Sequence, residues 1–363
     1  MAWPLFPPGE TSQYLLPLGE IMTDERLIKP TIPAQYIEEL LGGARNKGMD
    51  VNFLLRKAGI NPGILNNLQA RFSIQIYYHI MRTVRDIMQD DFLGFLKKKI
   101  PSKTFGVFCQ AAVGLLDLYS VIQYANQFYQ LFTDEFCWTL EMDKEKQLTS
   151  LNIDLKTDTT LNPKFLIEIL LLNPYKLCSW LIGEQLPIKS AYFSFYRPEF
   201  LETHHYLFGN RIFYESDRNG LDFDISVITQ PIIRRQKDVP PFLKSWSSIL
   251  FLNPYSYPYT RRVRQKLLSN KVEIGFPVFE QMARSLSMSH QNLWRKLNKE
   301  GTSYQRIKDQ LRHDMAIHFL SRAELSITEV AVKVGYADER HFYRMFKKWT
   351  GMSPGKYRQL LRP

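Results

Sequence analysis

The 363-residue sequence has only three cysteines, Cys109, Cys137 and Cys178, spaced too widely for a paired metal or CxxC redox motif. Three free thiols suit a reducing cytoplasm. No run of 18 apolar residues occurs, so no transmembrane helix and no membrane partner are expected. A glycine-rich phosphate loop and a GxSxG elbow are both missing, which removes the usual signatures of nucleotide and serine-hydrolase chemistry. The histidines do not make a zinc helix. His204 and His205 are adjacent, and His313 and His318 stand five apart rather than four, as surface or capping residues would. His79 lies in an aromatic helical pattern as a packed polar residue. Asp222 and Asp224 alternate with apolar neighbours and mark the solvent face of a strand. The chain is therefore expected to have no catalytic residue, no metal and no cofactor. Its opening, "MAWPLFPPGETSQYLLPLGE", is broken by prolines and lacks a basic n-region, so residues 1–25 read as a loose tail rather than a signal peptide.

Acid is scarce at the other end. Residues 261–363 hold 21 Lys and Arg against 9 Asp and Glu, whereas the first 260 residues are nearly balanced at 26 and 27. The whole net charge of +11 thus sits in the last 103 residues. A basic membrane-binding helix would need a free apolar face, but here that face is needed for the core. Neutralisation of phosphates explains the asymmetry better.

The basic end carries a pattern twice. In "GYADERHFYRMFKKWTGMSP" (335–354), Asp338 is an N-cap, and Phe342, Met345, Phe346 and Trp349 recur at helical spacing. Arg340, Arg344 and Lys347 fall on the opposite stripe. Before it, Ile327, Val330, Ala331 and Val334 form a short amphipathic helix capped by Ser326 or Thr328 and stopped at Gly335. Two short helices joined by a glycine turn, the second with a basic outer face, form the pattern of a helix-turn-helix. Upstream, "PVFEQMARSLSMSHQNLWRKLNKEGTSY" (277–304) repeats it. Ala283 and Ser287 match Ala331 and Gly335, Ser289 matches Asp338, and Leu293, Arg295 and Leu297 match Phe342, Arg344 and Phe346. Gln291, Arg295 and Asn298 point outward. Between the copies, residues 303–320 contain no Gly or Pro and form a helical spacer of nearly 30 Å, at roughly 1.5 Å per residue. Such a spacer sets two recognition helices about one DNA turn apart.

These residues resemble the DNA-binding domain of AraC/XylS-type bacterial transcription regulators over about residues 256–363. The likeness is most specific in "AVKVGYADERHFYRMFKKWTGMSPGKYR" and "MARSLSMSHQNLWRKLNKEGTSY". It implies that both recognition helices read DNA. The base-reading places fall at Gln291, Trp294 and Arg295, and at Glu339, Arg340, His341 and Arg344. Asn298, Lys347 and Lys348 complete the contact set. Trp294 departs from the usual polar residue; it either packs on a thymine methyl or covers the domain core. The resemblance also implies activation through contact with RNA polymerase.

The first 260 residues hold 38 of the 49 aromatics, enough for a large core or an apolar cavity. Residues 31–132 read mainly as helices, among them "PAQYIEELLGGARNKGMD", ending at glycines, and "SIQIYYHIMRTVRDIMQ". "EFCWTLEMD" and "QLTSLNIDL" flank a KEK turn as a hairpin, "NPKFLIEILLLNPYKLCSWLIGE" is a helix, and "IKSAYFSFY", "RIFYES" and "GLDFD" are strands. The expected architecture is an α+β N-terminal sensor domain (26–235), an interdomain connection (236–255) with one short helix, and an all-α C-terminal domain (256–363) with two helix-turn-helix motifs joined by a linker helix. The first part also resembles the arabinose-binding-domain subgroup of the same family, which includes regulators of ornithine utilisation, through "GMDVNFLLRKAGINPGIL" and "FGNRIFYESDRNGLDFD".

The sequence thus points to a cytoplasmic, sequence-specific regulator of promoter DNA whose first domain senses a small molecule, mediates homodimer formation, or both. Rival readings are a ligand-independent regulator, an architectural DNA binder, and an enzyme with an appended DNA module. An effector pocket would be mostly apolar with a few polar anchors. Arg71, Tyr77, Tyr78 and Arg82 are the candidate anchors, suited to a fatty or aromatic acid.

Overall fold

The computed structural model describes residues 31–67, 70–156, 164–198, 201–251, 258–269, 276–300, 302–322 and 324–360. The expected N-terminal tail lies outside the described residues.

Strand β1 (Thr31–Pro33) pairs antiparallel with β2 (Arg71–Ser73) as a small ribbon. Around it lie α1 (Ala34–Asn46), α2 (Val51–Lys57), a 3-10 turn at Pro62–Asn66 and α3 (Ile74–Met88). Asp50 and Ser73 cap α2 and α3 by accepting from the amides of Asn52 and Ile76. Helix α1 does not stop at its glycines. It runs through Gly42 and Gly43 to Asn46, because Gly43 is a place of close approach: a Cβ there would lie 2.4 Å from the Leu93 carbonyl oxygen. Only glycine lets the 91–95 loop pack so near.

Helices α4 (Thr104–Ala112) and α5 (Leu118–Gln130) lead into a five-stranded sheet. Its strands are β3 (Phe136–Asp143), β4 (Leu148–Leu155), β5 (Ser190–Tyr192), β6 (Ile212–Phe213) and β7 (Asn219–Asp224), in the order β3-β4-β7-β5-β6. The expected hairpin is present, with Phe136 opposite Leu155. Helix α6 (Lys164–Ile182) packs against β4, β7, α1 and α5. Among the described residues it alone is long and apolar enough to cross a membrane, but 83% of its apolar window is buried in the fold, as in a core helix. Pro174 sits inside α6 and has no N–H to give the Leu170 carbonyl one turn back. The indole N–H of Trp138 donates to that oxygen at 2.7 Å, so the defect ties the helix to β3.

Two segments depart from the sequence expectation. Helix α7 (Leu201–Phe208) interrupts the strand series. Helix α8 (Val239–Phe251) falls within 236–255 but does not merely connect the domains. It packs against α3, α4 and α6, where Phe242 stacks on Trp180 at 3.9 Å and Trp246 meets Phe105 at 4.6 Å. Pro240 and Pro241 fall in the first turn, where a missing N–H costs nothing, and the helix turns its aromatic face to the first domain's core.

The C-terminal part is all helix: α9 (Pro258–Ser269), α10 (Phe279–Ser285), α11 (His290–Lys299), α12 (Tyr304–Leu320), α13 (Ile327–Lys333), α14 (Glu339–Thr350) and α15 (Pro354–Leu360). Helix α12 is the central spacer; its 17 residues span about 25 Å. Glu300, at the end of α11, accepts from the backbone N–H groups of Tyr259 and Thr260 and so caps the start of α9.

Candidate nucleic-acid interface

The two helix pairs repeat bond for bond. In the turn after α10, the amides of Ser287 and Met288 donate to the carbonyls of Arg284 and Ala283, at 2.9 and 3.0 Å. After α13, the amides of Gly335 and Tyr336 donate to Val332 and Ala331, at 2.9 and 2.9 Å. These positions match at a constant offset of 48. The turn needs a left-handed residue, and Gly335 supplies φ +84° without strain. Ser287 holds φ +57° with a side chain attached. A left-handed L-residue costs about 1–2 kcal/mol, partly offset in a glycine variant by its greater unfolded-state freedom. Ser287→Gly should therefore raise stability by about 0.5–1 kcal/mol, and Gly335→Ala should lower it by about 1 kcal/mol or more; chemical denaturation of the two variants checks both signs.

The caps fix where each recognition helix starts. Ser289 accepts from the Asn292 amide at 3.2 Å. Asp338 accepts from Arg340 and His341, at 3.0 and 3.2 Å. Ser326 and Glu329 form a reciprocal capping box on α13, so Ser326, not Thr328, is the cap. Thr328 instead donates its hydroxyl to Glu339 across the turn.

Core and outer faces separate as the periodicity predicts. Leu293, Leu297, Phe342 and Phe346 are buried, with Met345 and Trp349 partly buried against them. Gln291, Trp294, Arg295 and Asn298 on α11 are exposed, as are Arg340, His341, Arg344, Lys347 and Lys348 on α14. Trp294 is 58% exposed, so it does not cover the domain core. Glu339 is half-buried and turned toward Thr328, leaving it less reach than its neighbours. Among the described residues, no carboxylate forms an ion pair with Arg295, Arg340, Arg344, Lys347 or Lys348. Arg264 and Arg218, by contrast, are neutralised by Asp314 and Asp222. Two parallel-built helices thus present fork-shaped cations without partners, the chemistry that reads guanine edges and phosphates.

Family comparison agrees with this geometry. Residues 48–232 match the arabinose-binding domain found at the N-terminus of AraC transcription regulators. Residues 282–360 match a helix-turn-helix domain that contains both recognition helices. The chain belongs to the AraC family of transcription regulators. An ornithine utilization regulator of Pseudomonas aeruginosa is 24% identical to this regulator over 330 residues, 90% of this chain and 96% of that one. The transcriptional regulator NimR of Escherichia coli is 34% identical over 109 residues, 30% of this chain and 39% of its own. The solved structure of the regulator CdpR from Pseudomonas aeruginosa aligns with 90% of this chain and 98% of its own at 16% identity, with a TM-score of 0.32. The regulator is therefore a DNA-binding protein with a ligand-binding first domain, and its relatives are regulators rather than enzymes.

How the two domains of this AraC-type regulator meet is not visible in its sequence patterns. The β1–β2 ribbon and the 3-10 turn dock on α12, α14 and α15. The Thr31 amide donates to Asp314 at 3.1 Å, and the Tyr357 hydroxyl donates to the Arg71 carbonyl at 2.8 Å while its ring stacks on Phe72 at 5.3 Å. Asn67 donates to the Thr350 carbonyl at the end of the second recognition helix. His313 is buried here beside Trp349, and His318 is also buried, so neither takes the surface role expected. The five-residue spacing misled because the second half of α12, from Leu311 to Leu320, is buried on nearly every side. Burial, and then the nearby Arg71 guanidinium, push the His313 pKa well below its usual value. A depressed histidine binds fewer protons folded than unfolded, so stability is full above about pH 6.5 and falls as pH drops below it. Melts at pH 7.5 and 5.5 should therefore diverge less in His313→Gln than in the parent.

The effector anchors are not gathered as expected. Arg71 is spent at the domain seam, donating to the Thr31 carbonyl at 2.6 Å and to the Thr31 hydroxyl at 3.1 Å. Arg82 lies near Asp86 on the outside of α3, and Tyr77 and Tyr78 are core residues. None lines the apolar cavity between α4, α5, β3 and α6. That cavity, bounded by Phe105, Phe108, Tyr129, Trp138 and Asn173, encloses about 20 Å³, the room of one water. Asp222 also differs from expectation. It is buried beneath Arg218 and accepts from Arg218 and Ser150 at 2.8 and 2.7 Å, whereas Asp224 stays exposed beside Lys189.

Proposed function

We propose that this regulator acts in the cytoplasm as a transcription activator, placing α11 and α14 in successive major grooves of a promoter site and contacting RNA polymerase. The observation that carries the DNA reading is the pair of identically turned helices with unpaired guanidinium groups, separated by one continuous helix. Gln291, Trp294, Arg295 and Asn298 would face one groove; Arg340, His341 and Arg344 would face the next. Lys347 and Lys348 would hold phosphates, and Glu339 would accept from a cytosine amino group when released from Thr328. An architectural binder would need no such base-reading forks.

The first domain is proposed to sense a small molecule and to join two copies. Exposed Val107, Leu116, Tyr119 and Leu131 on and beside α4 and α5 offer apolar surface for a second copy. The name of the Pseudomonas relative ties that protein to ornithine utilization, which favours a small metabolite as effector here. The domain seam favours a signal carried by the β1–β2 ribbon to α12. Selection of binding sites from random duplexes by the full-length protein tests the DNA reading. A motif of two separated half-sites supports it, and recovery of no motif despite binding would leave only the architectural alternative.

A further inference from the structure

A buried ionic cluster lies on the opposite side of α6 from the apolar cavity, and reading no DNA explains it. Glu39 on α1 accepts from Lys164 at 2.7 Å and from Gln35 at 2.8 Å. Lys164 also stands 3.9 Å from Glu168, one turn along α6. Glu168 is hydrogen-bonded to His204 Nε2 at 2.8 Å, and His204 Nδ1 shares a hydrogen bond with the Tyr214 hydroxyl at 3.2 Å. The imidazole is thus satisfied on both sides, and Phe193, Phe195 and Phe208 pack around it. The side chains of Glu39, Lys164, Glu168 and His204 are 7%, 8%, 3% and 0% exposed.

Two features separate this cluster from a closed structural network. Its two carboxylates share one ammonium, which bonds Glu39 at 2.7 Å and stands 3.9 Å from Glu168. Two of its buried polar atoms also have no hydrogen-bond partner, Glu39 Oε2 and the hydroxyl of Tyr36, a residue 2% exposed. Burial first, then Glu168 and Glu39, raise the Tyr36 phenol well above its usual range, so that hydroxyl lies in the field of both carboxylates. Burial and Glu168 also raise the Glu39 carboxyl against the opposing effect of Lys164. An orphaned buried acceptor and an orphaned buried hydroxyl each cost stability that an apolar core would not. Such costs gather at sites that bind something.

We propose that Tyr36, Glu39, Lys164, Glu168 and His204 form the effector site, and that it takes a small molecule bearing a primary ammonium group. The ammonium would donate to Glu39 Oε2 and the Tyr36 oxygen and give both the partner they lack. A carboxylate would meet two like charges there, so the acid effector suggested by the aromatic content does not suit this cluster. Gln35 and Glu38 on α1 are half-buried, so the site lies one side chain beneath the surface. The inference rests on the reading of the first domain as a small-molecule sensor.

The test uses the full-length protein with 1,4-diaminobutane and lysine as amine probes, and decanoate and benzoate as acid probes. Calorimetry and thermal shift report binding, and affinity for a selected DNA site reports the response. The amines should bind and change DNA affinity, and Glu39→Gln should weaken amine binding by about tenfold or more. Tyr36→Phe, which removes the orphaned hydroxyl, should fold at least as well as the parent and also bind the amines more weakly. Amine binding that is unchanged in both variants, or absent altogether, overturns the site. If the acids alone bind and alter DNA affinity, the sensor reading stands and this site falls. If amines bind through Glu39 without altering DNA affinity, the site stands and the sensor reading falls.

Discussion

Arg344→Ala should lower affinity for the selected DNA site by about 1–3 kcal/mol and relax the preference at one base position. Arg344 occupies the exposed stripe of α14, opposite the buried Phe342 and Phe346, so its removal leaves the domain core intact. No carboxylate among the described residues holds its guanidinium, which is free to make a bidentate contact to guanine. The neighbouring Lys347 is a point charge on the same face, and Lys347→Ala should weaken selected and scrambled duplexes alike, with the salt slope reduced by about one. Titration of both variants on both duplexes at fixed salt separates the two roles. An equal loss on the two duplexes for Arg344→Ala would make Arg344 a phosphate contact.

Asp314→Ala should destabilise the C-terminal helices by about 2–4 kcal/mol. The Asp314 side chain is fully buried on α12 and pairs with Arg264 of α9 at 2.7 Å; it also accepts from Gln310 at 3.0 Å and from the Thr31 amide at 3.1 Å. Removing the carboxylate takes a charged acceptor from the largely buried Arg264 guanidinium and the acceptor from the buried Thr31 amide, and cutting one partner from a buried pair is costly for that reason. Arg264 keeps 19% exposure and recovers some hydration, which holds the loss below the upper limit for such pairs. Because Thr31 belongs to the first domain, the same change should loosen the domain seam. Urea denaturation measures the first effect; faster proteolytic cutting between the domains measures the second. Unchanged stability would mean that Asp314 is dispensable to the seam.

The DNA-reading half was legible because local chemistry determines it. Asp338, Ser289 and Ser326 are capping residues by type, Gly335 marks a turn by its backbone freedom, and the Phe342–Phe346 and Leu293–Leu297 stripes declare the inner face. The first domain was less legible because its decisive contacts are remote in sequence. Gly43 looked like a helix stop but is a contact point for Leu93 and Phe95. Asp222 looked solvent-facing but is roofed by Arg218, whose guanidinium stacks over Tyr192 at 3.8 Å. The aromatics, which could have served either a core or a cavity, mostly pack on one another: Phe128 and Tyr129 against Phe108, and Phe193 against Phe208. Nothing near Glu39 in sequence points to Lys164, Glu168 or His204, and the cluster exists only once α1, α6 and α7 are packed.

The most direct measurement of the account is repeated site selection from random duplexes with the full-length parent, Arg295→Ala and Arg344→Ala. If α11 and α14 each read one groove across α12, the two variants should lose preference at different positions, about 10 base pairs apart, in otherwise unchanged motifs. Loss at the same position in both variants, or a motif unaltered in either, would contradict two-helix reading.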